Sequence, residues 1–162
     1  MKKKILAMLS LIMCLLCVAL PINAGAEEGV SCSVNSKSAS RGETVEFTAT
    51  LNKSVTVKSG AVSLEYDETV LSLVSAGWKL SAVPSMQPFY PAKGKGAFAY
   101  EQATAISGVV FAVQFRVLDN AAFSSTEVKI NLQLHDGAQN PVTVNNESGS
   151  ITVVEKAKSA SI

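Results

Sequence analysis

The residues that could carry covalent or proton-transfer chemistry in this chain are few, and their spacing is poor for it. His135 is the only histidine among 162 residues and precedes Asp136-Gly137. A lone imidazole at a strand end, with no nucleophile placed beside it by motif, reads as a polar residue closing a strand. Asp67-Glu68 is an adjacent carboxylate pair. Neighbouring side chains in a turn diverge, whereas glycoside hydrolysis needs two carboxyl groups facing each other across ~5–9.5 Å. The pair is expected to shape a turn, with Asp67 and Thr69 bonding backbone amides. A metal site fares no better: there is no Cys/His cluster and no D-x-[DN]-x-[DN]-G loop. A surface calcium site built from Asp119, Asp136 or Asn140 with backbone carbonyls is the remaining metal reading, and otherwise no cofactor is expected. No catalytic residue is assigned, and an enzyme is not expected.

Flat aromatics are the other route to function. Sugar-binding sandwiches stack pyranose rings on exposed aromatic faces. Trp78, Tyr90 and Tyr100, with Phe89, are the candidates for such a platform. Phe98 and Tyr100 share one strand parity and could both face a core.

The elements that must position these residues are strands. Val45, Phe47, Ala49 and Leu51 alternate with Thr44, Glu46, Thr48 and Thr50, and Val62, Leu64 and Tyr66 repeat the pattern. Val109 to Val117 forms the longest apolar ladder, and Val128, Ile130, Leu132 and Leu134 alternate with Glu127, Lys129, Asn131 and Gln133. Turn signals, among them Lys58-Ser59-Gly60, Lys93-Gly94, Asp136-Gly137 and Asn145-Asn146, separate the runs. Eight or nine strands are predicted, near 29–35, 43–52, 60–67, 70–76, 85–90, 96–103, 108–118, 126–134 and 149–154. Pro84, Pro88 and Pro91 confine the segment 79–91 to a loop or an edge strand. An all-β sandwich or barrel follows.

The N-terminus addresses the compartment. Met1-Lys2-Lys3-Lys4, an apolar run from Ile5 to Leu20, Pro21 and Ala24-Gly25-Ala26 have the form of a secretory signal peptide spanning 1–26. The alternative is an uncleaved anchor, the run being slightly shorter than the ~17–25 residues that span a bilayer. Met13 and Leu16 stand where a lipobox before Cys14 or Cys17 would need a small residue. With the signal removed, the fourteen basic residues lose Lys2 to Lys4, leaving eleven against thirteen acidic, a net charge near −2. That balance excludes a nucleic-acid surface and a polybasic membrane contact. Cys32 becomes the lone cysteine, which excludes an intramolecular disulfide and suits a small buried strand residue. A single domain over 27–154 and a short polar tail over 155–162 remain, in a secreted, extracellular protein.

Four motifs in order then resemble bacterial cohesin domains. They are Arg41-Gly42-Glu43-Thr44-Val45 after the first strand, and Val62, Leu64, Tyr66, Asp67, Val70, Leu71, Leu73 and Val74 around the acidic turn. Gly108-Val109-Val110-Phe111-Ala112-Val113-Gln114-Phe115-Arg116-Val117 and the closing Ser148-Gly149-Ser150-Ile151-Thr152-Val153 complete the set. The resemblance covers about residues 30–154. It implies a nine-stranded jelly-roll β-sandwich, related to carbohydrate-binding modules, that holds dockerin-bearing secreted enzymes on extracellular scaffolds degrading polysaccharide. It also implies recognition on one flat sheet face by outward residues of the third strand, here Ser59, Ala61, Ser63 and Glu65. Ser59 and Ala61 stand where the best-known cohesins carry Asn and Asp, so the hydrogen bonding is expected to be altered. Glu101 and Gln102 lie near a position where the family often has an acidic contact, followed by a short loop, Ala103 to Ser107. The expected interface has a small apolar centre at Ala61, with Val57 or Leu80 nearby. The alternative reading is a carbohydrate-binding module using Trp78 and Tyr90 or Tyr100.

Overall fold

The computed structural model describes residues 29–157. The expected signal segment and the last residues of the tail lie outside them. The described chain is built from strands: β1 (Val30–Val34), β2 (Lys37–Ser40), β3 (Thr44–Tyr66), β4 (Leu71–Trp78), β5 (Phe89–Tyr90), β6 (Lys95–Val117), β7 (Ser125–His135), β8 (Pro141–Val142), β9 (Val144–Glu147) and β10 (Gly149–Val154). One 3-10 turn, Pro91–Lys93, ends at Gly94, whose φ of 56° is left-handed. Proline at its start and glycine past its end are what such a turn asks for.

Two expected strand pairs are each a single long strand. Residues 43–52 and 60–67 merge in β3, and 96–103 and 108–118 merge in β6. The predicted turn at Lys58-Ser59-Gly60 and the predicted loop Ala103 to Ser107 are strand. Both strands bend at irregularities instead: the register between them shifts between Leu51 and Val55, where Asn52, Lys53 and Ser54 bulge, and again between Val57 and Ser59. At the second shift Val57 pairs Thr104 and Ser59 pairs Ala99, so Tyr100 to Ala103 stand against Lys58 alone. A bulge keeps the chain hydrogen-bonded while re-aiming it, so one strand serves both layers. Residues 85–90 contribute only β5 and an isolated bridge from Met86 to Ala99. Asn145 and Asn146 lie in β9 rather than a turn.

The result is an all-β sandwich of the jelly-roll kind. In the first layer the order is β5, the N-terminal part of β6, the C-terminal part of β3, then β7. In the second it is β4, the C-terminal part of β6, the N-terminal part of β3, then β1 and β9. β10 joins β7 to β2. Aromatic rings fill the space between the layers. Phe98 and Trp78 meet edge-on at 4.8 Å, while Phe89 and Phe111 at 5.5 Å and Tyr66 and Phe115 at 4.5 Å are tilted. Such pairs contribute ~0.5–1.5 kcal/mol beyond burial itself.

Gly60 explains the misplaced turn. A β-carbon there would collide with the Phe98 ring and lie 2.9 Å from the Gln133 carbonyl oxygen. Gly96, in the neighbouring strand, would bring one to 2.9 Å from Phe89. Both glycines serve close approach within the sheet rather than reversal of the chain.

Candidate functional site

The outward residues of the first layer form a regular array. Cross-strand pairing fixes each row, because partners directly opposite project to the same side. One row runs His135, Ser59, Ala99, Met86. The next runs Gln133, Ala61, Ala97, where the Ala97 N–H donates to the Pro88 carbonyl at 3.0 Å. The third runs Asn131, Ser63, Lys95, Tyr90, and Glu65 opposite Lys129 begins a fourth. A shallow dish of about 200 Å³ lies at the centre, lined by Ala61, Ser63, Lys95, Asn131 and Gln133 among others.

Ser59, Ala61, Ser63 and Glu65 thus share one face of β3, as their spacing requires. Glu65 accepts a hydrogen bond from Asn131 Nδ2 at 2.7 Å, and Ser59 Oγ approaches Gln139 Oε1 at 3.4 Å. Glu101 and Gln102 are exposed on the β6 bulge at the end of the array. Ala103 lies beside them, 3.2 Å from where a Gly137 β-carbon would sit, so the bulge meets the turn after β7. Val57 is fully buried and Leu80 packs against the core. The apolar neighbours of Ala61 are therefore Ala97 and Ala99, not Val57 or Leu80. Lys95, Ala97, Ala99, Asn131, Gln133 and Met86 were not expected in the face. Alternation marks which of them point outward, but strand adjacency is invisible in a linear pattern.

The aromatic platform does not assemble. Trp78 packs against Phe98 and Phe111 in the core, with its indole Nε1 buried and, among the described residues, without a hydrogen-bond partner. Tyr100 is 6% exposed; its hydroxyl donates to the Ala82 carbonyl at 2.9 Å, and burial raises its pKa. Of the three proposed sugar-stacking residues, Tyr90 alone is exposed. Inward parity decides this: Phe98 packs on Trp78 and Tyr100 on Phe98, and apolar stacking inside the sandwich outweighs exposing three rings.

The acids are occupied by turns. Asp67 Oδ1 accepts from the Thr69 N–H at 2.8 Å and its hydroxyl at 2.6 Å, and these bonds hold its carboxyl below the usual range. Asp136 Oδ1 accepts from the N–H groups of Ala138 and Asn140, each at 2.8 Å. Asn140 Nδ2 donates to its other oxygen at 3.2 Å, and the Asn140 bonds chiefly lower its pKa. Asp119 pairs with Arg116 at 3.1 Å. Among the described residues no three acid, histidine or cysteine side chains stand at metal-ligating spacing. Cys32 is fully buried, and burial, helped by the charge of Glu147, pushes its thiol up to about 11. A thiol in that state is a packing residue rather than a nucleophile.

Comparison with known proteins adds to this geometry. Solved cohesin structures share the fold at low identity. A cohesin from scaffoldin B of Acetivibrio cellulolyticus, solved with a Cel5 dockerin mutant, is 21% identical, with a TM-score of 0.63 over 78% of this chain and 100% of that one. A non-cellulosomal cohesin of the archaeon Archaeoglobus fulgidus is 20% identical, with a TM-score of 0.64 over 80% and 94%. A cohesin of Clostridium acetobutylicum is 18% identical, with a TM-score of 0.62 over 78% and 92%. No curated protein sequence matches. The family model for the cohesin domain matches residues 30–153, most of the chain. On that match, and with the fold its solved members share, this chain belongs to the cohesin domain family.

Proposed function

We propose that this chain is a secreted, non-catalytic module that docks a dockerin-type helix pair on the outward face of β5, β6, β3 and β7, within an extracellular assembly that degrades polysaccharide. The observation that carries the reading is the flat array itself. Four adjacent strands present small side chains at the centre and longer polar ones at the rim. Outward positions along a strand are ~6.7 Å apart, so Ser59 to Glu65 span ~20 Å. A helix of ~13 residues covers that length. Membership in the cohesin domain family supports the choice of partner, as do cohesins of this fold solved in complex with dockerins. The residues we assign to the contact are Ser59, Ala61, Ser63, Glu65, Glu101 and Gln102, joined by Ala97, Ala99, Asn131 and Gln133.

The test is surface plasmon resonance between the immobilised chain and folded dockerin domains of enzymes secreted by its source organism. At least one is expected to bind at low-micromolar affinity or tighter. A complete set with none binding below ~10 μM, about −7 kcal/mol, overturns the reading.

A further inference from the structure

The centre of the face has a chemistry of its own. Ala61, Ala97 and Ala99 are contiguous across β3 and β6. Met86, 58% exposed, extends this strip at one end, and Tyr90, also 58% exposed, flanks it on the β5 side. Lys93 and Lys95 are exposed at the Tyr90 end, and Glu101 is exposed at the other. Among the described residues Lys95, Glu101 and Gln133 make no side-chain hydrogen bond, so their polar groups are open to a partner.

A helix seated on a sheet keeps ~8–10 Å between backbones, a gap filled by side chains from both sides. Where the sheet offers only methyl groups, the partner must supply the volume. Alanine can neither donate nor accept, so a hydroxyl or amide pressed onto the strip would lose its water without replacement. Helix side chains at i and i+4 rise ~6 Å, close to the ~6.7 Å between outward strand positions, so they can settle over successive rows.

Resting on the docking reading, we propose that the strip selects the partner. The recognition helix carries bulky aliphatic side chains at i and i+4 over Ala61, Ala97 and Ala99, and an acidic residue reaching Lys93 and Lys95. Asn131 and Gln133 bond the polar flank of that helix on the β7 side. Partners that present hydroxyls or amides to the sheet centre are rejected.

The test is a library of a folded dockerin domain, randomised at its helix-surface contact positions and sorted against the full chain. Leu, Ile or Met should be enriched at two positions one turn apart, with Asp or Glu at a third. Ala97→Asn in the chain should weaken such clones by ~30-fold, and Lys95→Glu should weaken them by ~10-fold, without change in thermal unfolding. Clones that bind through Ser, Thr or Asn at the central positions and are indifferent to Ala97→Asn overturn the selection while leaving dockerin docking intact. Clones indifferent to Ala61→Arg place the contact elsewhere and overturn both. A library with no binder to the folded chain likewise overturns both.

Discussion

The two outer faces of the sandwich are made by the same two strands, yet they differ in what they leave unsatisfied. On the second layer β3 and β6 present Thr44 opposite Arg116, Glu46 opposite Gln114, and Thr48 opposite Ala112. Several polar groups on this face serve the fold. Ser75 Oγ donates to Gln114 Oε1 at 3.2 Å, Arg116 pairs with Asp119, and Asn35 Oδ1 accepts from the Thr48 N–H at 2.7 Å. On the first layer the same strands present alanine and serine, and although Glu65, Asn131 and Lys129 are engaged with neighbours, Lys95, Gln133 and Glu101 make no side-chain hydrogen bond among the described residues. A partner displacing satisfied groups gains little net free energy. One engaging open groups around a small apolar centre can gain both burial and hydrogen bonds. The teaching of the contrast is that polarity alone does not mark a binding face; unspent bonding capacity over flat, small residues does.

The sharpest way to break the contrast is to place one bulky charge on each face. Ala61→Arg should weaken dockerin binding by ~100-fold or more, about 2.7 kcal/mol, whereas Glu46→Arg should change it less than twofold; titration calorimetry reads both. Equal losses would dissolve the distinction. A second pair compares the sheets themselves. Gly60→Ala drives a methyl into Phe98 and should cost ~1–3 kcal/mol in urea unfolding. Gly77→Ala, in β4, meets nothing within 4 Å and should be neutral or stabilise by ~0.4–1 kcal/mol.

A smaller effect sits at the edge of the first layer. Asn146 accepts from the Leu132 N–H at 2.9 Å and donates to the Leu132 carbonyl at 3.0 Å, standing in for a strand peptide between β8 and β10. Asn146→Ala leaves both β7 backbone groups without that partner and should cost ~1–2 kcal/mol by the same unfolding assay. A cost no larger than that of Asn145→Ala would show that solvent replaces the amide without loss.

The smallest effect is that of pH. Asp67 and Asp136 have folded pKa values lowered by turn hydrogen bonds. Their contribution is therefore present above the ordinary carboxylate pKa of ~4 and is lost as pH falls below it through the folded values. Asp136→Asn should lower the melting temperature at neutral pH, and the gap to the parent protein should narrow as pH falls below the ordinary carboxylate range. A gap independent of pH would remove the carboxylate from the account.

Much of the fold was legible in the chain. Period-two alternation identified the inward residues of β3, β6 and β7, because one buried face per strand leaves a two-residue signature. Asp67-Glu68-Thr69 was rightly a turn. The merging of four predicted strands into two was not legible, because Gly60 looks the same whether it reverses the chain or makes room for Phe98. Tyr100 turned inward as the parity it shares with Phe98 allowed, whereas Trp78, at a strand end, faces core or water according to what lies across the sandwich, and nothing local says which. Half the candidate site was likewise hidden. Ser59, Ala61, Ser63 and Glu65 share a strand, and their spacing alone puts them together, but Ala97, Ala99, Asn131 and Gln133 join them only by register.

By itself, then, the sequence determined which residues alternate and where the acidic turn falls. These depend on neighbours a few positions apart. Only the tertiary structure decided which outward residues become one surface, since strand pairing joins positions tens of residues apart through backbone hydrogen bonds. Those bonds are chemically alike at every residue, and register is set by how the two layers pack.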